Sequence, residues 1–204
     1  PRPCAAPVIS AVLTATTPIG KFAAVSSRCC IVLLLALGLA GCGEPDEAIP
    51  PALVSLHQRA AGGDASAQLD LGLRYVTGKG IAPDERAALR WIGNAAAQGN
   101  AAAQFELGSY YTLEPHQDFK RAADLLRQSA LQGFAPAQSS LALLYLTGAG
   151  VPVDRVEAYA WLGLAAEQGE REALELQPSL QAELSDAELQ QARQRAQQYR
   201  QGSL

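Results

Sequence analysis

The stretch AQLDLGLRYVTGKGIAPDERAALRWIGNAAAQG, residues 67–99, decides the fold, because diverged copies of it follow at residues 103–133 and 137–169. An alanine, a leucine and a tyrosine recur four residues apart in the first half of each copy. They are Ala67, Ala103 and Ala137, then Leu71, Leu107 and Leu141, then Tyr75, Tyr111 and Tyr145. This spacing places them on one face of a helix, which we call helix A. The sequence therefore predicts an array of helical repeats.

The second half of each copy predicts another helix, which we call helix B. An aspartate precedes it in every copy, where its carboxylate can accept hydrogen bonds from the exposed amides of the first turn. These aspartates are Asp84, Asp118 and Asp154. Helix B carries Trp91 and Trp161 in copies one and three, and it ends at a glycine, as expected of a helix closed in the left-handed conformation. Those glycines are Gly99, Gly133 and Gly169.

The array extends beyond the three copies at both ends. Residues 51–63 have the pattern of the end of helix B, which predicts a leading half-repeat. Residues 170–184 have a weaker helix A pattern, and Ser185 with Glu188 forms a capping box before a polar last helix. We therefore predict a folded region at 52–204, with repeats at about 64–99, 100–133 and 134–169 and a C-terminal cap at 170–204.

The unit is 34 to 36 residues long. Helix A carries an alanine, Leu-Gly and a tyrosine, a glycine loop follows, and helix B carries Ala-x-x-Trp and then Ala-Ala-x-x-Gly. This pattern resembles the Sel-one-like repeat (SLR), a relative of the tetratricopeptide repeat. The resemblance covers about residues 52–200, although copy two lacks the loop glycines and the tryptophan. It implies an all-α fold, a right-handed α-solenoid. It also implies a concave surface that binds peptides, proteins or sugars, and a role as an assembly adaptor.

Residues 1–41 are predicted to be a leader. Arg28 precedes CCIVLLLALGLAG, which is too short for a membrane-spanning helix of about 20 residues but fits the apolar region of a secretory signal. The next residues, Leu39-Ala40-Gly41-Cys42, resemble the lipobox of bacterial lipoproteins, which implies cleavage before Cys42 and lipidation of its thiol. An ordinary signal peptide or an apolar helix is the alternative. Because residue 1 is not methionine, we expect translation to start at Val25, with residues 1–24 being over-extended annotation.

Lipidation would place the protein in the bacterial cell envelope, anchored in the membrane through Cys42. Resemblance to enterobacterial lipoproteins implies the periplasmic face of the outer membrane, because the residue after the cysteine is Gly43 and not the aspartate that marks inner-membrane retention. Residues 42–51 are rich in proline and acids and predict a tether of roughly 30 Å. All four cysteines lie at or before the cleavage site, so no disulfide or zinc site is predicted in the mature chain.

Charge and motif content argue against several functions. Before Cys42 the only charged residues are Arg2, Lys21 and Arg28, so 13 basic and 20 acidic residues follow. A nucleic-acid partner would need a basic face, and none is expected. No motif of a hydrolase, phosphate loop or zinc peptidase is present, so we predict neither catalysis nor a cofactor. His57 and His116 are interpreted as solvated or capping residues rather than metal ligands, although Glu114 and Asp118 flank His116.

Recognition is expected where the copies differ on the side of helix A that points away from the core. The tyrosines and tryptophans that recur are interpreted as core rather than as platforms for sugar stacking. The candidate binding face is Asp70, Arg74, Glu106, Tyr110, Ser140 and Leu144. Ordinary solvated surface is the alternative. We predict a lipid-anchored periplasmic adaptor for an envelope protein or peptide; a glycan-binding role in peptidoglycan or exopolysaccharide assembly is the first alternative, and an enzyme the second.

Overall fold

The computed structural model describes residues 49–202. The leader, Cys42 and residues 43–48 of the tether lie outside this range. Within it the chain forms a 3-10 turn at Pro51–Leu53 and α-helices, with no β-strand. The helices are α1 (Val54–Ala61), α2 (Ala65–Thr77), α3 (Glu85–Ala97), α4 (Ala101–Tyr110), α5 (Phe119–Leu131), α6 (Ala135–Thr147), α7 (Arg155–Glu167), α8 (Arg171–Glu183) and α9 (Asp186–Gln201). No helix of this range has the length and apolar content needed to span a bilayer.

The helices stack in the order of the chain. Each of α1 to α7 packs on the helix that follows it, and α4 also touches α6. The pairs α2 with α3, α4 with α5 and α6 with α7 are helices A and B of the three copies, while α1 is the leading half-repeat. The prediction of an all-α solenoid is confirmed. Ile49, which the sequence assigned to the tether, packs against the cluster formed by α1 and copy one.

The helix ends form as predicted. Asp84 accepts a hydrogen bond from the amide of Ala87 at 3.0 Å, and Asp118 and Asp154 cap α5 and α7 in the same way. The chain leaves α3, α5 and α7 through glycines with φ of 85°, 86° and 80° at Gly99, Gly133 and Gly169. These local signals fix the lengths of the helices and therefore the register of one unit on the next.

Copy two differs from its neighbours in helix A as well as in the loop. The structure places only 10 residues in α4, against 13 in α2 and in α6. Gly78 and Gly148 close α2 and α6 in the left-handed conformation, and no glycine stands at this place in copy two, so the helix ends earlier. The bond from the amide of the capping aspartate to the tyrosine carbonyl is retained, with Asp118 N to Tyr111 O at 2.9 Å.

Small residues allow the two helices of a unit to approach closely. A Cβ added at Gly72 of α2 would lie 2.6 Å from Cγ1 of Ile92 in α3, which is too close for any side chain. A Cβ at Gly150 would lie 2.1 Å from the carbonyl oxygen of Phe119, so the loop of copy three lies directly against the start of α5. The close approach of α2 and α3 in copy one therefore depends on a glycine at position 72.

A series of buried glutamines joins consecutive helices, and the sequence analysis did not single it out. Gln68 Nε2 of α2 donates to the carbonyl of Ala60 in α1 at 3.0 Å, and its Oε1 accepts from Gln98 Nε2 after α3 at 2.7 Å. The same two bonds recur for Gln104 with Ala96 and Gln132, and for Gln138 with Ala130 and Gln168. We call this series the glutamine ladder. It ends at α8, where Leu174 stands at the corresponding position and cannot donate.

Candidate functional site

The six predicted recognition residues, which we call the A-helix row, differ in how available they are. Asp70 and Arg74 of α2 are bonded to each other, with Arg74 Nε 3.0 Å from Asp70 Oδ1. Both remain partly in solvent, since the Asp70 side chain is 50% exposed and that of Arg74 is 29% exposed. This i,i+4 pair neutralises the charge of the row at copy one.

Glu106 occupies the place of Asp70 on α4, and its surroundings are different. Its side chain is partly buried and forms no hydrogen bond or ion pair within residues 49–202. Burial raises the pKa of this carboxyl group. A carboxylate that loses solvent without gaining a donor favours the approach of a cation or a hydrogen-bond donor.

Tyr110 points toward copy one. Its hydroxyl donates to Glu85 Oε1 at the start of α3 at 2.8 Å, and its ring stacks on His116 with centroids 4.7 Å apart. Loss of solvent, followed by the bond to Glu85, raises the pKa of Tyr110 to about 12. His116 Nε2 lies 3.1 Å from the same carboxylate oxygen. This small cluster ties the shortened loop of copy two to α3.

The end of the row on α6 does not match the prediction. Ser140 is partly buried, and Leu144 is only 6% exposed and belongs to the core cluster of copies two and three. The expectation that Leu144 points away from the core is therefore wrong. The reason is that α6 lies in the middle of the array and packs against α4, α5 and α7, so most of its circumference is covered.

The histidines occupy protein contacts in the described part of the chain. His57 lies edge-to-face against Trp91, with ring centroids 5.6 Å apart. His116 bonds to Glu85, and Asp118 caps α5 rather than facing a shared site. No group of three or more histidine, cysteine or acidic side chains among residues 49–202 is arranged to hold a metal ion.

The two tryptophans stand at the same repeat position and differ in their contacts. Trp161 is 1% exposed, and its Nε1 donates to Glu157 Oε1 at 3.0 Å. Tyr199 of α9 stacks on its ring with centroids 4.1 Å apart. Trp91 is partly exposed, its buried Nε1 has no acceptor among the described residues, and Arg90 lies over the ring at 5.6 Å. Packing accounts for Trp161 completely and for Trp91 in part.

A polar surface on α7, which no motif in the sequence had indicated, is covered by α9. Arg195 Nη1 lies 2.9 Å from Asp154 Oδ2 and 2.7 Å from Glu157 Oε2, and the hydroxyl of Tyr199 also bonds to Glu157. Burial alone would raise the pKa of Asp154, but bonds from the Glu157 amide and from Arg195 lower it. The bond to Asp154 raises the pKa of Arg195. The four-residue spacing of Arg195 and Tyr199 was the signal in the sequence that pointed to a shared face.

The same unit is found in known proteins. The Sel1 repeat family model matches residues 65–100, 101–134 and 135–170, which lie within one residue of the repeats predicted above and together make up more than half of the sequence. The chain belongs to the Sel1 repeat family. Sel1-repeat proteins generally mediate protein–protein interaction and are not typically enzymes.

Individual relatives cover different shares of the array. A Sel1 repeat protein from Oxalobacter formigenes, known from its crystal structure, is 35% identical and covers 63% of this chain and 98% of that one, with a TM-score of 0.59. A protective antigen present in uropathogenic Escherichia coli strains is 28% identical over 82% of this chain and 43% of that one, with a TM-score of 0.45. An uncharacterized protein of Neisseria meningitidis serogroup B is 35% identical over 82 residues, which are 40% of this chain and only 18% of the relative.

Proposed function

We propose that this Sel1-repeat chain is a lipid-anchored scaffold of the bacterial envelope that binds another envelope protein, or an extended peptide, through the residues of the A-helix row on α2 and α4. Membership of the family supports protein binding. The leader that ends in Leu39-Ala40-Gly41-Cys42 supports the anchor, and Gly43 supports the outer membrane. The anchor and the array then have separate tasks, since one holds the protein at the membrane and the other recruits a partner.

The observation that carries the proposal is the partly buried carboxylate of Glu106. It has no partner within the described residues, whereas the equivalent Asp70 on α2 is already bonded to Arg74. A partly buried carboxylate without a donor has lost part of its solvation, and a cationic side chain of a ligand would compensate for that loss. The row therefore fits a partner segment that presents a lysine or an arginine to α4.

Crosslinking in intact cells tests this function. A photo-reactive amino acid at Ser140, which leaves Glu106 in place, should capture one or a few envelope proteins, and the same amino acid at Asn94, an exposed residue of α3, serves as the matched control. Glu106→Lys should abolish capture by the probe at Ser140, because a cationic ligand would meet a like charge. Equal capture from positions 140 and 94 would contradict the proposal. Sedimentation with purified cell-wall sacculi in the absence of other proteins would favour the glycan alternative instead.

The anchor has an independent test. Cys42→Ala should leave the precursor uncleaved and unlabelled by radioactive palmitate, because only the thiol of this residue can accept the lipid in the lipobox scheme. Cys30→Ala, which changes a cysteine of the leader upstream of the cleavage site, is the control and should be processed and labelled normally. Unchanged labelling of Cys42→Ala would refute the lipid anchor without touching the proposal for the A-helix row.

A further inference from the structure

We propose that α7 carries a second binding surface, for a basic, tyrosine-bearing helix of a partner protein, and that α9 occupies this surface as a displaceable internal ligand. We call it the α7 surface, and its residues are Asp154, Glu157, Trp161 and Glu167. It shares no residue with the A-helix row, so the inference does not rest on the proposed function.

The contacts that α9 makes define what the α7 surface recognises. Arg195 and Tyr199 are four residues apart and lie on one face of α9. Both bond to Glu157, and the ring of Tyr199 also stacks on Trp161. One turn of helix thus delivers a guanidinium and a phenol to a single carboxylate. This arrangement selects an arginine followed four residues later by a tyrosine.

Charge complementarity supports the same ligand. From Gln190 to Gly202 the chain has three arginines and no acid. Two of these arginines pair with the three carboxylates of the α7 surface, since Arg195 bonds to Asp154 and Glu157, and Arg200 bonds to Glu167. The C-terminal part of α9 is therefore basic in an otherwise acidic mature chain, and it lies on the acidic α7 surface. A partner helix with the same charge pattern would be attracted to the α7 surface.

The packing of α9 makes it displaceable. Its main packing partner is α7, and the two cap helices α8 and α9 leave between them a groove of about 520 Å³ whose lining includes Ala160 and Gly163 of α7. Only Leu189 and Ala192 of its sixteen residues are buried. Besides these two residues, the partly buried Ala196 and Tyr199 are the hydrophobic side chains of α9 that pack against the core. The other contacts of α9 are polar, and a helix from another protein can reproduce them.

The α7 surface is confined to one copy. At the place of Glu157, copies one and two have Ala87 and Arg121, which cannot accept the same bonds. Each chain therefore has one such surface within residues 49–202, next to the end of the array. An external helix can bind at this surface only after α9 has left. Its apparent affinity therefore equals its intrinsic affinity multiplied by the fraction of chains in which α9 is released.

The test uses the full chain and a labelled peptide with the sequence of residues 186–202. In a variant with Arg195→Gln and Tyr199→Leu, the internal ligand is weakened and the surface is unchanged. We expect this variant to bind the peptide at least about tenfold more tightly than the wild type, measured by fluorescence anisotropy. A peptide with the same two substitutions should bind neither protein. Arg193→Gln, which alters an exposed arginine of α9 outside these contacts, is the control and should behave like the wild type.

Three results would overturn the inference. The first is that the double variant and the wild type bind the peptide with equal affinity, and the second is that the altered peptide binds as well as the unaltered one. The third is a wild-type dimer that forms by exchange of α9, since the occupant of the surface would then be a second copy of this chain. If the double variant does not fold, hydrogen exchange on the wild type decides. Amides of α9 should exchange at least about tenfold faster than those of α7, because α9 opens separately. Equal rates for the two helices would also refute the proposal.

Discussion

Copy one and copy three place a tryptophan at the same position of helix B, yet only one of the two is fully accommodated. Trp161 of copy three is enclosed, its ring is stacked on Tyr199 and its Nε1 has an acceptor in Glu157. Trp91 of copy one remains partly exposed, touches His57, and holds a buried Nε1 with no acceptor among residues 49–202. The repeat position decides where a side chain lies along the helix, and residues outside the repeat pattern decide what it contacts.

The largest expected difference comes from truncating the two rings. Trp161→Ala should lower the free energy of unfolding by about 3–5 kcal/mol, as for other buried aromatic residues replaced by alanine. Trp91→Ala should cost about half as much, because part of its surface is already in water and its N–H makes no bond within the described residues. Urea denaturation followed by circular dichroism measures both. Equal losses would mean that the two environments do not differ in energy.

Removal of Glu157, the hydrogen-bond acceptor of Trp161, should have the next largest effect on the free energy of unfolding. Glu157→Ala leaves the indole N–H of Trp161 buried and unbonded and takes a partner from Arg195, so we expect a loss of about 2–3 kcal/mol. Glu157→Gln keeps a carbonyl oxygen for the indole and should lose less than half of that. The same urea titration compares the two variants. A glutamine variant as unstable as the alanine variant would show that charge, not the bond to Trp161, holds this site together.

The converse change should improve copy one. Ala87 stands where Glu157 stands in copy three, and Ala87→Gln would bring a neutral acceptor one turn before Trp91. We expect a gain of about 0.5–1.5 kcal/mol in the free energy of unfolding, because a buried donor becomes satisfied. Ala87→Leu adds similar bulk without an acceptor and should give no gain. A stabilised leucine variant would attribute the effect to volume instead.

The smallest expected effect is the pH dependence that Asp154 of copy three contributes to stability. The pKa of Asp154 is lowered in the folded protein by the bonds from the Glu157 amide and Arg195, which outweigh its burial. Its contribution to stability is therefore present above the unfolded pKa of about 3.8 and is lost as the pH falls through the lower folded value. Asp154→Asn should lack this component between about pH 5 and pH 2. Acid unfolding of the wild type and of Asp154→Asn is measured by tryptophan fluorescence. Identical unfolding curves for the two proteins would show that Asp154 makes no such contribution.

Most of the fold was predictable because its signals are local. The spacing of alanine, leucine and tyrosine, the capping aspartates and the closing glycines each act within one helix or one turn, and they predicted the helix pairs. Helix α4 is three residues shorter than α2 and α6 because the loop that follows it has no glycine. The missing glycine was visible in the aligned copies, but the shortening of the helix was not. The family model matched the same repeats.

The contacts between units were not predictable from the alignment. Leu144 is buried because helices on several sides cover α6, and nothing in its own copy indicates how many neighbours it will have. Tyr199 meets Glu157 from a helix outside the three copies. Such contacts join residues far apart in sequence, and their choice depends on the angle at which the last helix leaves the array, which no residue pattern specified.

The glutamine ladder has a consequence for the evolution of length. Because each rung joins a helix to the one before and the one after, an in-frame duplication of residues 134–169 inserted after Gly169 would carry its own glutamine to the carbonyl of Ala166 and add a rung without altering the older ones. Leu174 interrupts that series. The glutamine ladder thus allows whole repeats to be added by gene duplication without changing the packing of the existing ones. Leu174, which replaces the glutamine, marks the point at which the regular series of units ends.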